Sequence, residues 1–512
     1  MILDKIELNE EFKRALDLME RTKKHIFITG KAGTGKSTLL EYFRNITKKK
    51  IVVLAPTGVA ALNVSGQTIH SFFKFKPDIT YEKVKKLKDK IYKEIDTIVI
   101  DEISMVRADL LDCVDRALQL ANENSEPFGG KQMIFLGDLY QLPPVAKSNE
   151  KIIFKDKYET LYFFSAEVMN RINLEVIELQ KVYRQKDEKF IELLNSVRFN
   201  TIDDEKLELL NERYNPDFKL GKKDFYIYLT PRNDYAQNIN QEFLNKLSGR
   251  VYSFEAEIYG EFDENDFPND EILYLKKGAQ VMFLNNDSKG RWVNGTVGIV
   301  KDIDVDNEVI YVNLINERKT VEVERLKWQV FNYIYNQEKK VIETEVVGYF
   351  IQFPIKLAWA ITIHKSQGKT FDNVIIDLKG GIFAPGQLYV ALSRCRTLEG
   401  IILKQKIKKS HIFNDWKIVK FLTNYAYKKS EEKLPLEKKI EIIKEAIKNK
   451  KEIEVTYLKS NNESSKRVLR PIKIDEMEFM GREFLALLAY CYKRKEERVF
   501  RIDRILDIKI IS

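Results

Sequence analysis

Gly30-Lys-Ala-Gly-Thr-Gly-Lys-Ser37 decides the fold. The eight residues follow the apolar run Ile26 to Ile28 and precede a helical run from Thr38, so they read as strand, glycine loop and helix. In that context Gly30, Gly33 and Gly35 let backbone N–H groups around Ala32 and Thr34 wrap phosphate oxygens, while the helix from Thr38 offers its positive end. Lys36 then reaches the β and γ phosphates, and Ser37 is placed for magnesium. The bland alternative is a glycine-rich turn that binds nothing, and the complete pattern in its confirming context argues against it.

Two further strands end in polar groups that suit the same chemistry. Ile98-Val-Ile100 runs into Asp101-Glu102, which puts two carboxylates at the end of a buried parallel strand, where open α/β sheets bind ligands. Asp101 is expected to hold the magnesium and Glu102 to activate water. An acidic helix start near Ser104 is the competing reading. Met133 to Leu136 delivers Gly137-Asp-Leu-Tyr-Gln141-Leu-Pro-Pro144, in which Gln141 offers both a donor and an acceptor to a γ phosphate or an attacking water. A loop glutamine satisfied by its neighbours is the alternative.

Outward from this loop, short apolar runs at Ile51 to Leu54 and Leu174 to Leu179 complete a set that alternates with amphipathic stretches. The pattern predicts buried parallel strands with covering helices. Phe225 to Leu229, Val374 to Leu378 and Ile401 to Leu403 predict a second α/β core, split in sequence. From Leu273 to Phe353 the segments are short and alternating (Gln280 to Phe283, Thr296 to Ile303, Val309 to Val312, Val346 to Phe353), broken by turns at Asn285-Asn-Asp287, Asn294-Gly295 and Asn316. A small antiparallel barrel inserted into the second core is the expectation. The charged run Lys428 to Lys433 before Pro435 reads as a linker to a C-terminal module.

The chain has 512 residues, more than one core can serve. Hydrophobic residues make up 44% and charged residues 32%, a globular balance; the formal charge of +9 fits a polyanionic partner but suits a merely solvated surface better. Cys113, Cys395 and Cys491 are too scattered for a zinc site or a disulfide framework, which implies a reducing cytoplasm. No run approaches the roughly 18 uncharged apolar residues of a membrane span, and Met1 to Glu7 lacks a signal-peptide pattern.

In this order the segments resemble the superfamily 1B helicases, above all the Pif-type (petite-integration-frequency) DNA helicases and their RecD-like relatives. The likeness is carried by the loop at Gly30 to Ser37, Ala55-Pro-Thr-Gly-Val-Ala-Ala61, Gly66-Gln-Thr-Ile-His70-Ser-Phe72, Asp101-Glu-Ile-Ser-Met105 with its helix to Leu120, and Gly129 to Pro144. It continues through Val182-Tyr-Arg-Gln185, Ala360-Ile-Thr-Ile-His-Lys-Ser-Gln-Gly368 and Tyr389-Val-Ala-Leu-Ser-Arg394. The resemblance implies an α/β fold of two RecA-like cores with an SH3-like barrel insertion. It implies Mg2+ and ATP as cofactor and fuel, 5′ to 3′ movement on single-stranded DNA, and work in DNA repair, recombination or telomere maintenance. Arg184 and Arg394 map onto arginines that reach the γ phosphate from the second core, with Gln367 and Gly368 in its ATP-and-DNA motif. A guanidinium that arrives only on closure ties hydrolysis to domain movement. Pro56, Thr57, Gly58, Ala60, His70, Phe72, Asn294, Gly295, Thr362, His364, Lys365 and Ser366 would line the single-strand groove, with hydroxyls and lysine on phosphates and aromatic faces for bases. Taken alone, His70 reads as an ordinary core histidine. Trp292 would stack on a base or fill the barrel core. One departure concerns the glutamine that often reads adenine before the first helix: Leu8-Asn-Glu-Glu-Phe12 has none, and Asn9 is its possible substitute.

The resulting division places the first core at 1–185 with a small wedge near 73–94, the second at 186–272 and 354–427, the barrel at 273–353 and a C-terminal module at 436–512. That module resembles the WYL-type domain, although its name-giving Trp-Tyr-Leu reads Leu485-Ala-Leu487. Arg470, Arg494, Arg498, Arg501 and Arg504 make a phosphate-binding cluster if they share a face, and otherwise a plain charged surface. Expected partners are single-stranded DNA and its junctions with duplex, with forked or G-quadruplex DNA as possible forms, no membrane, and a monomer as the favoured state. A nucleic-acid-binding ATP switch that does not unwind, and an RNA helicase, are the rival readings.

Overall fold

The computed structural model describes residues 9–145, 157–221, 225–260, 264, 267–315, 319–459, 464–479 and 482–511. Leu8 and Asn316 lie outside the described residues. The chain forms two compact units, Met1–Val197 with Ile202–Ile412, and Arg198–Thr201 with Phe413–Ser512.

In the larger unit, β1 (His25–Gly30), β2 (Ile51–Ala55), β3 (Gln67–Thr68), β4 (Thr97–Ile100), β5 (Gln132–Leu136) and β6 (Leu174–Leu179) form a parallel sheet in the order β3-β2-β4-β5-β1-β6. Every residue of β4 and β5 is buried, which is why these strands read as continuous apolar runs. Helix α1 (Glu10–Arg21) buries Phe12, Ala15, Leu16 and Met19 beneath this sheet, and α2 (Lys36–Ile46) adds Leu39, Leu40 and Phe43 to the same core.

A second parallel sheet gathers β7 (Ile227–Thr230) with three strands from the far end of the unit, and an antiparallel insertion separates them in sequence. The insertion begins with β8 (Tyr252–Glu255), β9 (Glu257–Gly260) and β10 (Ile272–Leu275). Then β11 (Gln280–Phe283), β12 (Val297–Asp304), β13 (Val309–Leu314) and β14 (Thr320–Val323) pair in succession. After the long hairpin β15 (Leu326–Asn336) and β16 (Val341–Gln352), β17 (Ile355–Leu357) closes the five-stranded sheet β14-β13-β12-β11-β17. The chain returns to the second core through β18 (Ala360–Thr362), β19 (Val374–Ile376) and β20 (Ile401–Leu403), in the order β18-β7-β19-β20.

Strand β15 was not anticipated as an 11-residue element, because much of it is half-buried and carries no clean alternation. Lys74 to Tyr92, expected to hold few buried positions, buries Val84, Ile91 and Tyr92, and the Tyr92 hydroxyl donates to the Phe72 carbonyl at 2.6 Å. The interval contains one turn of 3-10 helix at Tyr81–Lys83 and a short helix at Ile91–Glu94.

In the smaller unit, β21 (Ile453–Leu458), β22 (Ser464–Phe479), β23 (Arg482–Cys491), β24 (Glu496–Arg501) and β25 (Ile505–Ile510) form an antiparallel sheet in the order β24-β23-β22-β21-β25. Ile443 and Ala446 of the helix Leu436–Lys448 pack on it. The charged run at 428–433 is not an extended linker. It is the end of an 18-residue helix, Trp416–Lys433, where opposite charges meet at i,i+3, as in Lys429 with Glu432 at 3.1 Å.

Candidate nucleotide cleft and strand groove

A cleft of about 1080 Å³ opens between the two parallel cores of the larger unit, lined by the glycine loop from one and by Gly368 and Arg394 from the other. The loop needs its glycines. Gly33 and Gly35 hold φ of +80° and +86°, and a Cβ on Gly33 would stand 2.5 Å from the Arg184 Cβ. Lys36 Nζ donates to the Gly30 and Lys31 carbonyls at 2.8 and 3.2 Å, and the Thr34 hydroxyl donates to Lys31 O at 2.9 Å. The Ala32 N–H donates to the Tyr389 hydroxyl at 3.0 Å, a cross-core contact that no reading of the loop alone foresaw.

The two carboxylates sit at the end of β4. Burial first, and then the neighbouring Asp101, hold the Glu102 carboxyl above the usual carboxylate range, while Lys36 and Arg394 pull it back down. Asp101 is raised by burial as well, opposed by the Glu102 N–H and by Lys36. Glu102 holds a left-handed backbone (φ 50°, ψ 42°) and precedes one turn of 3-10 helix, Ile103–Met105, which its side chain does not cap; the α-helix begins at Ala108. Gln367 of the second core donates from one Nε2 to Glu102 Oε2 at 3.0 Å and to Gln141 Oε1 at 3.2 Å. Gln141 in turn points its Nε2 at Asp138 Oδ2, 3.4 Å away. Residues read from three separate motifs thus meet at one point.

The arginines lie in the same cleft. Arg184 donates to the Ser393 carbonyl at 3.2 Å. Arg394, 1% exposed, donates through Nε to Val390 O at 3.0 Å and through Nη2 to the Ser393 hydroxyl at 2.9 Å. Burial, then Arg184, pushes its guanidinium below the ordinary value, with Tyr389, Glu102 and Asp138 opposing. Glycines that leave no room for a Cβ, a lysine and a serine at the start of α2, and a buried aspartate form a donor and acceptor set that fits a nucleoside triphosphate with magnesium. Asn9 does not face this cleft: its oxygen accepts the Phe12 N–H at 2.9 Å as the N-cap of α1, and Phe12 lines the cleft instead.

The expected strand-groove residues divide. A second hollow, about 550 Å³, is lined by Gly58, Ala61 and His70 together with Gln329 to Asn332 of the hairpin. Burial first, and then Arg107, lower the His70 pKa, with Asp109 opposing, which favours the uncharged imidazole. Pro56 precedes Thr57, whose side-chain oxygen accepts the N–H of Ala60, three residues on, at 3.3 Å as the N-cap of α3 (Gly58–Asn63). Thr362 likewise accepts the Lys365 N–H at 3.3 Å.

Two expectations are corrected, and the open choice for Trp292 falls to the core. Phe72 is 4% exposed and packs edge-on to Phe73, Tyr92 and Tyr333, so its ring serves the core and offers no face to a base. Ser366 is fully buried and donates its hydroxyl to Ile363 O at 2.7 Å, closing a turn. Trp292 stacks on Phe283 with centroids 4.4 Å apart and fills the inserted sheet's core. Two groups were missed. Phe383, 61% exposed, lies parallel to His364 at 6.1 Å, and its flanks Gly380-Gly381 and Pro385 marked it as an apolar residue in a loop. The hairpin's Asn332 and Tyr333 bond to Gln67 (2.7 Å) and to the Val53 N–H (3.3 Å), contacts between segments far apart in sequence that no local pattern reveals.

In the smaller unit the five arginines do not share a face. Arg470 and Arg501 sit opposite Tyr490 and Ala486, on the side away from Leu487 and Ala489, whereas Arg498 pairs with Ala489. Arg501 is also held by Asp503 at 2.6 Å.

The profile of the PIF1-like helicase family matches residues 7–208, and that of the WYL domain matches residues 438–510. ATP-dependent DNA helicase Pif1 of Bdellovibrio bacteriovorus is 34% identical over 416 residues, 79% of this chain and 89% of that protein. The structure of Bacteroides sp Pif1 in complex with ADP-AlF4 superposes with a TM-score of 0.75 at 38% identity, covering 83% of this chain and 97% of that one. Bacteroides Pif1 bound to ssDNA gives a TM-score of 0.61 at 39% identity, with coverage of 83% and 97%. Among the described residues no helix is long and apolar enough to cross a membrane. With a relative so similar across most of both lengths, the chain belongs to the PIF1-like helicase family.

Proposed function

We propose that this chain, an ATP-dependent DNA helicase, moves 5′ to 3′ along single-stranded DNA and separates duplex at its junctions, forks and G-quadruplexes among them, as a monomer. The observation that carries the reading is the Gln367 side chain, which reaches from the second core to Glu102 and Gln141 of the first. A group that touches both the carboxylate and the glutamine links any change at the γ phosphate to the packing of the two cores.

Lys36 exchanges its loop carbonyls for β and γ phosphate oxygens, and the N–H groups from Gly30 to Thr38 hold the rest of the triphosphate. Ser37 and Asp101 would hold Mg2+, which supplies charge neutralisation for the phosphates when bound. Glu102, lifted by burial, accepts the proton of the attacking water, and Gln141 orients that water. Arg184 and Arg394 stabilise the charge that spreads over the transferred group. On the strand, Gly58, Ala60 and Gly295 admit the backbone closely, Asn294 and Lys365 reach phosphates, and His364 offers a base a flat face. Strand displacement on duplexes with a 5′ or a 3′ single-stranded tail tests the polarity. Unwinding of the 5′-tailed duplex alone is expected, and unwinding of the 3′-tailed duplex alone would reverse the assignment. ATP turnover without any unwinding favours a clamp.

A further inference from the structure

Two lysines are used neither by the nucleotide cleft nor by the strand residues above. Lys356 lies in the middle of β17, whose Ile355 and Leu357 pack with the inserted sheet. Alternation turns Lys356 to the other side, across from Met282, which belongs to the second core's cluster. The residue is half-buried, and among the described residues its ammonium has no hydrogen bond and no ion pair. The charges that act on it are Lys365, which repels, and the exposed Asp270, which attracts.

Lys369 stands in the loop that follows Gln367-Gly368. Its Nζ donates to Asn294 Oδ1 at 2.5 Å, and Asn294 Nδ2 donates to Asn63 Oδ1 of the first core at 3.1 Å. Burial first, and then Lys356, push Lys369 down to about 8; burial and then Lys365 do the same to Lys356. Lys356 pairs with Met282, the Gly295 N–H donates to the carbonyl of the next residue, Phe283, at 2.9 Å, and a Cβ on Gly295 would stand 3.6 Å from the Lys369 Cβ, so both lysines lie beside one turn. Partly buried ammonium groups so placed, with a single amide oxygen and an exposed acid to oppose them, are unfavourable unless an anion joins them. The anion that this protein handles is the phosphodiester backbone, whose oxygens accept charge-assisted hydrogen bonds.

We propose that Lys356 and Lys369 form a seat for one internucleotide phosphate of the single strand, with the exposed Lys365 beside it. The inference rests on the reading of the chain as a single-strand motor. Lys369 is also a positioning residue for hydrolysis, because its carbonyl accepts Arg394 Nη1 at 3.3 Å and Gln367, two residues earlier, holds Glu102. A phosphate that draws Lys369 away from Asn294 breaks the Asn63–Asn294–Lys369 chain between the cores and moves the segment that touches both catalytic candidates.

The test uses the full chain and fluorescence anisotropy on oligo-dT over a series of KCl concentrations, for the wild type, Lys356→Met, Lys369→Met and the double variant. The double variant is expected to flatten the slope of log K against log salt by about 0.7, the value for one phosphate contact on a single strand. Each single variant should flatten it by less, since the other lysine still faces the shared phosphate. In ATPase assays the oligo-dT concentration for half-maximal stimulation should rise in both single variants, which a purely structural lysine would not cause, and Lys369→Met should lower maximal turnover as well. Lys356→Gln and Lys369→Gln carry the same test if methionine disturbs packing. An unchanged slope in the double variant overturns the seat while leaving the motor reading intact. A wild-type protein that does not bind oligo-dT overturns both.

Discussion

In the nucleotide cleft the polar groups converge on one another, whereas in the strand groove many of them turn back on their own backbone. Gln367, Glu102, Gln141 and Asp138 form an unbroken chain of contacts in the cleft, at 3.0 to 3.4 Å. Along the groove Thr57 and Thr362 cap their own turns, Ser366 bonds to Ile363, and Phe72 is sealed among aromatic rings. The cleft therefore depends on side-chain chemistry. On the reading proposed here the groove works through close backbone approach at small residues, lysine charge and flat faces such as the exposed Phe383 beside the half-buried His364.

Substitutions in the two regions should diverge accordingly, and the largest effects belong to the cleft. Lys36→Ala is expected to remove ATP turnover. Glu102→Gln should keep ATP and DNA binding while stopping hydrolysis, because the amide keeps the shape and cannot take the proton. Single-turnover assays beside nucleotide binding separate the two outcomes, and wild-type hydrolysis by Glu102→Gln would remove that residue from the mechanism. The pH profile sharpens the point. A base whose carboxyl is held above the usual range is protonated at higher pH than an ordinary glutamate, so the acid limb of kcat/KM should lie above the ordinary carboxylate range, and turnover should rise with pH through it. An acid limb at the ordinary glutamate value would contradict the burial argument.

Arg184→Ala and Arg394→Ala come next, with turnover lowered by roughly two or more orders of magnitude. ATP binding should change far less. Near-normal turnover in both would leave closure without a chemical role.

How far each region could be read beforehand follows from the same contrast. The glycine loop and the carboxylates after β4 were legible because a phosphate site fixes residue types at fixed spacing, and all-buried strands leave unbroken apolar runs. The positions of Arg184, Arg394 and Gln367 came from family likeness, since nothing local tells an arginine aimed at a cleft from one on the surface. The groove was legible only in part. Burial of Phe72 depends on Tyr92 and on Tyr333, which lie 20 and 261 residues away in sequence, and the helix through 428–433 hid behind a charge pattern that suits a linker equally well.

The smaller effects test that correction. Phe72→Ala should destabilise the fold by about 3 to 5 kcal/mol, as expected for removing a buried ring. His70→Ala should instead weaken single-strand binding with little change in the denaturation midpoint. Urea titrations run beside oligo-dT binding distinguish the two, and a Phe72→Ala protein of normal stability that has lost binding would restore that ring to the strand.

The central claim is that strand and nucleotide act on one closure, and the most direct measurement of it is steady-state ATP turnover with and without saturating oligo-dT. Turnover should be low for the protein alone and rise strongly with the single strand, because the contacts from Gln367, Arg184 and Arg394 become productive only when the cores pack around it. Equal turnover in the presence and absence of the strand would contradict the account.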